Sequence, residues 1–265
     1  MIVASHNLMH ARRLDALLPH HLALRDDVGL DVLCVQEDVA LGDTTAADRI
    51  AAALGPGYAV ARAAEAPGLA VVHDTATAPV APGAVRAVPL PRLGRLSPIE
   101  RLYIAGGKTK QKHALLVTVG HAADLYLIVD AHLDTAGDNA HRAAQVAAVA
   151  AALDGSRFVF CADTNSFTWR RARHAAALAE LLAPLTALGA APPEAGAPTH
   201  FFARQREPLL THRLTVALGA LGLDLPRAYD VVCSNVTVTR RGQLETPASD
   251  HDLVWAELAG AEPRP

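Results

Sequence analysis

Polar and ionisable side chains recur in this chain at the places where apolar runs end. Asn7 closes the opening run that begins at Ile2, and Gln36-Glu37 follows Asp31-Val32-Leu33-Cys34-Val35. His132 stands just past Leu125-Tyr126-Leu127-Ile128-Val129, and Asp163 with Asn165 just past Phe158-Val159-Phe160-Cys161-Ala162. Asp230 opens the run through Cys233, and Asp250-His251 precede Leu253. A glutamate at the end of a buried strand is costly unless it is paired or bound to a metal. Glu37, Asp163 and Asp250 with the Asn7 amide form an all-oxygen set, which suits Mg²⁺ or Mn²⁺ better than zinc. Histidines add proton transfer or phosphate hydrogen bonding near neutral pH. Hard metal, histidine and asparagine together are the chemistry of water attack on a phosphate ester.

Each residue also has a structural reading. Asp163 and Asn165 are two apart and share a face if the strand continues, yet both residue types favour strand-end turns. A lone buried histidine can be a satisfied core group. The densest positive cluster, Arg92, Arg95, Arg101, Lys108, Lys110 and Lys112, reads either as a solvated loop or as a rim for an anionic substrate.

The elements that must position these groups follow from hydrophobic periodicity. Short strands are expected at Ile2 to Ala4, stopping at Ser5, then at 31–35, 58–61, 69–73, 84–88, 114–119, 125–129 and 158–162. Further strands are expected at 229–233, 236–239 and 253–258. Helical spacing runs from Met9 to Val28, broken at Pro19. A second helix follows Asp43 or Thr44 as N-cap. Others cover 139–153, capped by Asp138 or Asn139, and 170–188, with an apolar helical segment at 209–221. Helices do not follow every strand, so the pattern suits two packed sheets covered outside by helices rather than regular βαβ repetition.

Composition bounds the rest. The 265 residues are 51% hydrophobic and 19% charged, which is the make-up of a folded domain and not of a disordered chain. No linker divides the chain, so one domain over 1–265 is expected. A net charge of −3 shows no overall positive field for nucleic acid or an anionic membrane. Cys34, Cys161 and Cys233 lie in apolar runs without metal spacing, as buried thiols of a reducing, cytoplasmic compartment do. The first residues show no signal-peptide pattern, and no run is long enough to insert stably in a membrane.

The ordered set Asn7, Gln36-Glu37, His132-Leu133, Ala162-Asp163-Thr164-Asn165, Asp230 and Ser249-Asp250-His251 resembles the endonuclease/exonuclease/phosphatase superfamily. The resemblance runs from residue 3 to residue 257. It implies a four-layer α/β/β/α sandwich of two packed mixed β-sheets flanked by helices. It implies a Mg²⁺-dependent phosphoesterase, with Mn²⁺ as an alternative metal and a nucleic acid or small phosphorylated molecule as substrate. Glu37 matches the principal metal ligand, assisted by Asn7 and Asp250. Asp163 matches the residue that orients or deprotonates water, and Asn165 a phosphate-binding amide. His251 matches the catalytic histidine, held by Asp230, and His132 a second phosphate-binding histidine. Arg101 and Lys112 are the candidate substrate-binding cations. Two departures stand out: Ala162 replaces a glycine, and Asp130-Ala131 replaces Asn-Thr before the histidine. Asp130 either adds charge near the metal or faces away. A catalytically silent binding or scaffold protein that keeps the pocket is the alternative function.

Overall fold

The computed structural model describes residues 1–98, 100–103, 109–121, 124–168, 171–191, 193, 197–201, 204, 217 and 227–260. The first strand, β1 (Ile2–Asn7), leads through a short 3₁₀ turn into helix α1 (Leu14–Val28) and then β2 (Val32–Gln36). Small hairpin strands β3 (Ala40–Leu41) and β4 (Thr44–Thr45) precede helix α2 (Ala46–Leu54). Then come β5 (Tyr58–Ala61), β6 (Leu69–Asp74), β7 (Val80–Pro89), the short helix α3 (Glu100–Tyr103), β8 (His113–His121) and β9 (Asp124–His132). Helix α4 (Asn139–Ala151), β10 (Phe158–Asp163) and α5 (His174–Thr186) follow. The described chain closes with β11 (Asp230–Ser234), β12 (Val238–Leu244) and β13 (Leu253–Leu258).

One six-stranded sheet has the order β12-β13-β1-β2-β6-β5, and a five-stranded sheet the order β11-β10-β9-β8-β7. Both are mixed. β1 and β2 run parallel, as do β9 and β10, and every other pair in these sheets is antiparallel. Each parallel pair is joined by a helix, α1 in the first sheet and α4 in the second, because parallel strands need a crossover.

Alternation along the strands sorts the side chains into layers. Val3, Val32, Cys34, Val117, Ile128, Val159, Cys161 and Val232 face inward and form the core between the sheets. The opposite faces pack on helices: Leu33 and Val35 with Leu17 and Ile50 on one side, Val129 and Phe160 with Val149 and Leu181 on the other. The result is the α/β/β/α sandwich. All three cysteines are buried and free. No helix among the described residues is long and apolar enough to cross a membrane.

Several local expectations need correction. β1 continues through Asn7 instead of stopping at Ser5, because Ser5, His6 and Asn7 all have buried partners. Pro19 lies inside α1 without breaking it, on an exposed position where the carbonyl it leaves unbonded can reach water. The cap of α2 is Thr45, neither Asp43 nor Thr44, in a reciprocal capping box with Asp48. Asp138 caps α4. The segment 209–221, apart from residue 217, lies outside the described residues, as does Lys108.

A candidate active site at one end of the two sheets

Parallel pairing brings Asn7 level with Gln36 and Asp163 level with His132. The antiparallel neighbour β11 puts its first residue, Asp230, opposite Asp163. The run into β13, antiparallel to β1, delivers His251 to the same end. The Asn7, Gln36, His132, Asp163 and Asp230 side chains sit on the inner-face register, continuing the rows of Val3, Cys34, Ile128, Val159 and Val232 past the point where the apolar core gives out.

Asp163 is the centre. The Asn7 amide donates to its Oδ2 at 2.9 Å, which ties the two sheets together at the site. His132 Nε2 lies 3.6 Å and His251 Nε2 3.8 Å from the same oxygen. Burial pushes the Asp163 carboxyl up, but the two imidazoles and the N–H donors of Asn165 and Asn7 outweigh it and hold it below the usual range. Asn165 has a left-handed φ of 47°, its backbone N–H donates to Asp163 Oδ1 at 3.0 Å, and its side-chain amide donates to the Leu133 carbonyl. The stretch is an Asx turn, and the turn aims the carboxylate.

His251 is gripped from behind. Its Nδ1 lies 2.9 Å from Asp230 Oδ2 and 3.1 Å from Oδ1, the paired geometry the sequence led us to expect. Asp230 is itself fixed by a backbone bond to Thr199 Oγ1. Burial alone would lower the His251 ring, but the carboxylates of Asp230, Asp163 and Asp250 raise it well above its ordinary value. The ring is therefore an imidazolium with Nε2 turned toward Asp163. His132 is the opposite case. Burial, with Lys112 nearby, drives it down to about 3, so it is neutral at physiological pH.

Glu37 follows β2 with φ of 60° and accepts from the His10 backbone N–H at 2.8 Å, while the His10 ring stands 3.3 Å away. Burial raises its carboxyl against the pull of His10 and His251, and Asp163 and Asp250 add to the rise. Carboxylate oxygens of this kind are the donors a hard divalent cation takes. Asn7 is already engaged, giving its amide to Asp163 and receiving the Met9 N–H on Oδ1. Among the described residues, the ligand-spaced groups of acids and histidines are Asp163-Asp230-His251 and His200-Asp250-His251. Glu37 stands outside both and joins the site electrostatically.

Other positions land differently from expectation. Lys112 is half-buried rather than on a solvated rim: its ammonium donates to the His132 and Leu133 carbonyls at 3.0 and 2.8 Å, behind His132. Burial lowers its pKa, opposed by Asp134, Asp163 and Glu37. Arg92 is spent on Thr109, and exposed Arg101 lines an open groove with Arg95, Gly137 and Asp138 that none of the candidate catalytic residues lines. Asp130 does not face away. Two residues before His132, it shares that inner face one layer deeper, receives Gln36 Nε2 at 2.6 Å, and is pushed by burial well up toward its neutral form.

Two histidines were missed. His10 follows three residues after Asn7 in a run whose members Met9, His10 and Ala11 all have positive φ. His200 stacks on Tyr229 with centroids 4.6 Å apart and reaches Asp250 at 3.5 Å. The sequence offered no local signal for the latter, which follows Thr199, 31 residues from Asp230, on a segment that the fold brings to it.

No protein-family model and no curated protein matches the sequence. Solved structures do match the fold. An endonuclease/exonuclease/phosphatase from Bacteroides vulgatus aligns with a TM-score of 0.62 and 14% identity, over 97% of this chain and 98% of its own. TDP2 from D. rerio, complexed with single strand DNA product, aligns at 0.60 and 11% over 97% of each chain. Sphingomyelinase C from Streptomyces griseocarneus aligns at 0.58 and 17%, over 97% of this chain and 98% of its own. The chain has the fold of the endonuclease/exonuclease/phosphatase superfamily. At these identities the likeness establishes architecture, and the chemistry rests on the side chains.

Proposed function

We propose that the chain is a divalent-metal-dependent hydrolase of phosphate esters. One observation carries this reading: Asp163, held by an amide from the other sheet, has His132 Nε2 at 3.6 Å and His251 Nε2 at 3.8 Å, and Asp230 holds the other ring nitrogen of His251. The low-lying Asp163 carboxylate accepts a hydrogen bond from water and aims its lone pair at phosphorus. The His251 imidazolium donates to a non-bridging phosphate oxygen, where charge builds up in the transition state. His132 and the second N–H of the Asn165 amide supply uncharged hydrogen bonds on the other flank. Glu37 and Asp250, with Asp163 beside them, would hold Mg²⁺ or Mn²⁺, which neutralises phosphate charge and polarises the ester. Lys112, behind His132, adds a fixed positive potential for an anionic substrate.

The solved structures sharing the fold include one complexed with single strand DNA product and one named for sphingomyelin, so substrate choice is tested directly. Turnover of bis-p-nitrophenyl phosphate, p-nitrophenyl phosphate and plasmid DNA is measured with Mg²⁺, with Mn²⁺ and with a chelator. Hydrolysis of at least one, abolished by chelation and shifted to higher Mg²⁺ in Glu37→Gln, is expected. No turnover of any with either metal returns the chain to a binding or scaffold role.

A further inference from the structure

Beyond this hard-cation chemistry, we propose that His200, Asp250 and His251 form a binding site for Zn²⁺ or a similar borderline transition metal. The three ligand atoms lie within 4.8 Å of one another. His200 Nε2 is 3.5 Å from Asp250 Oδ2, and His251 Nε2 is 3.9 Å from Asp250 Oδ1. Tetrahedral zinc with bonds near 2.0–2.1 Å sets its donors about 3.3 Å apart, so a set already within 4.8 Å closes by drawing the three side chains together. Two imidazoles and a carboxylate are a zinc donor set, whereas Mg²⁺ takes oxygen.

The surroundings support ligation independently. Asp230 holds His251 by Nδ1, which directs Nε2 outward as a ligand, the carboxylate–histidine arrangement found behind metal-bound imidazoles. His200 is fixed by its ring on Tyr229 and by backbone bridges to Arg227 and His251. Phe201 N–H, donating to the Asp250 carbonyl at 2.8 Å, locks the two segments in register. Asp163 Oδ2 lies 3.8 Å from His251 Nε2. Zinc here takes Asp250 from the hard-cation set and displaces the proton from the His251 nitrogen turned toward a phosphate, releasing it to solvent, so zinc excess is inhibitory.

The test is calorimetric titration of the metal-free protein with Zn²⁺ alone, which needs no substrate and stands whether or not the phosphoesterase reading does. The parent is expected to bind one Zn²⁺ per chain, with affinity reduced about tenfold or more in His200→Ala and in His200→Phe. His200→Phe keeps a ring against Tyr229, so it carries the test if the alanine variant fails to fold by circular dichroism. Glu37→Gln is expected to bind Zn²⁺ as the parent does. Parent-like binding in His200→Phe, loss in Glu37→Gln instead, or no stoichiometric binding by the parent overturns the site.

Discussion

Asp230 and His251, 21 residues apart in sequence, meet in a buried hydrogen bond of 2.9 Å between carboxylate Oδ2 and ring Nδ1. The bond fixes which nitrogen faces the pocket and stabilises the ring's positive charge. If the two act as a unit, Asp230→Asn and His251→Ala each lower kcat by about 10²–10⁴, and the double variant adds little to the larger loss. Steady-state kinetics on the best substrate measure this. Losses that multiply in the double variant would separate the residues.

Lys112 separates from the other basic residues of its loop. Its ammonium is spent on two carbonyls beside the catalytic groups, while Arg92, Arg95 and Arg101 lie away from them. Lys112→Met is expected to cut kcat/KM by roughly 10–100-fold, the worth of one charge-assisted interaction. Lys112→Arg should recover part of it. Neutralising Arg92, Arg95 and Arg101 together should leave kinetics unchanged at low and high salt. A salt-dependent rise in KM in that triple variant would restore the loop as an anion rim.

Acid stability turns on a buried pair behind the site. His6 Nδ1 and His21 Nε2 are 3.0 Å apart, and burial lowers His21 from 6.5 to about 3. Below 6.5 the unfolded histidine binds a proton that the folded one refuses, so the unfolded state gains protons and stability falls as pH falls. At pH 5 this group alone costs about 2 kcal/mol. Urea denaturation at pH 7 and pH 5 should show a smaller drop in His21→Gln, which keeps a donor for His6. Equal drops in both proteins would mean that His21 does not set the acid limit.

Much of this was legible in the residues. A run such as 158–162 announces a strand because every residue is buried on one face or the other, and the polar residues at its end mark where the sheet meets the site. The Asp230–His251 bond was readable because a catalytic imidazolium needs a carboxylate behind it. What escaped depends on three-dimensional partners. The face of Asp130 follows from counting two back from His132, but the donor it meets there, the Gln36 amide, arrives from the other sheet. Lys112 reads as one more basic loop residue until β8 and β9 pair and bring the His132 and Leu133 carbonyls to it. His200 lies beyond a Pro/Gly/Ala stretch and declares itself only when backbone bridges set it beside Arg227 and His251.

The Asn7–Asp163 hydrogen bond joins β1 of one sheet to β10 of the other, and Gln36–Asp130 does the same one layer deeper. Neither sheet owns the pocket. Side chains on the two inner faces repeat every second residue, so sliding one sheet over the other would leave strand ladders and both outer helical layers intact while parting Asn7 from Asp163. Catalysis in such a molecule is a gauge of docking. Under mild denaturant, activity should vanish while far-ultraviolet circular dichroism still reports native secondary structure.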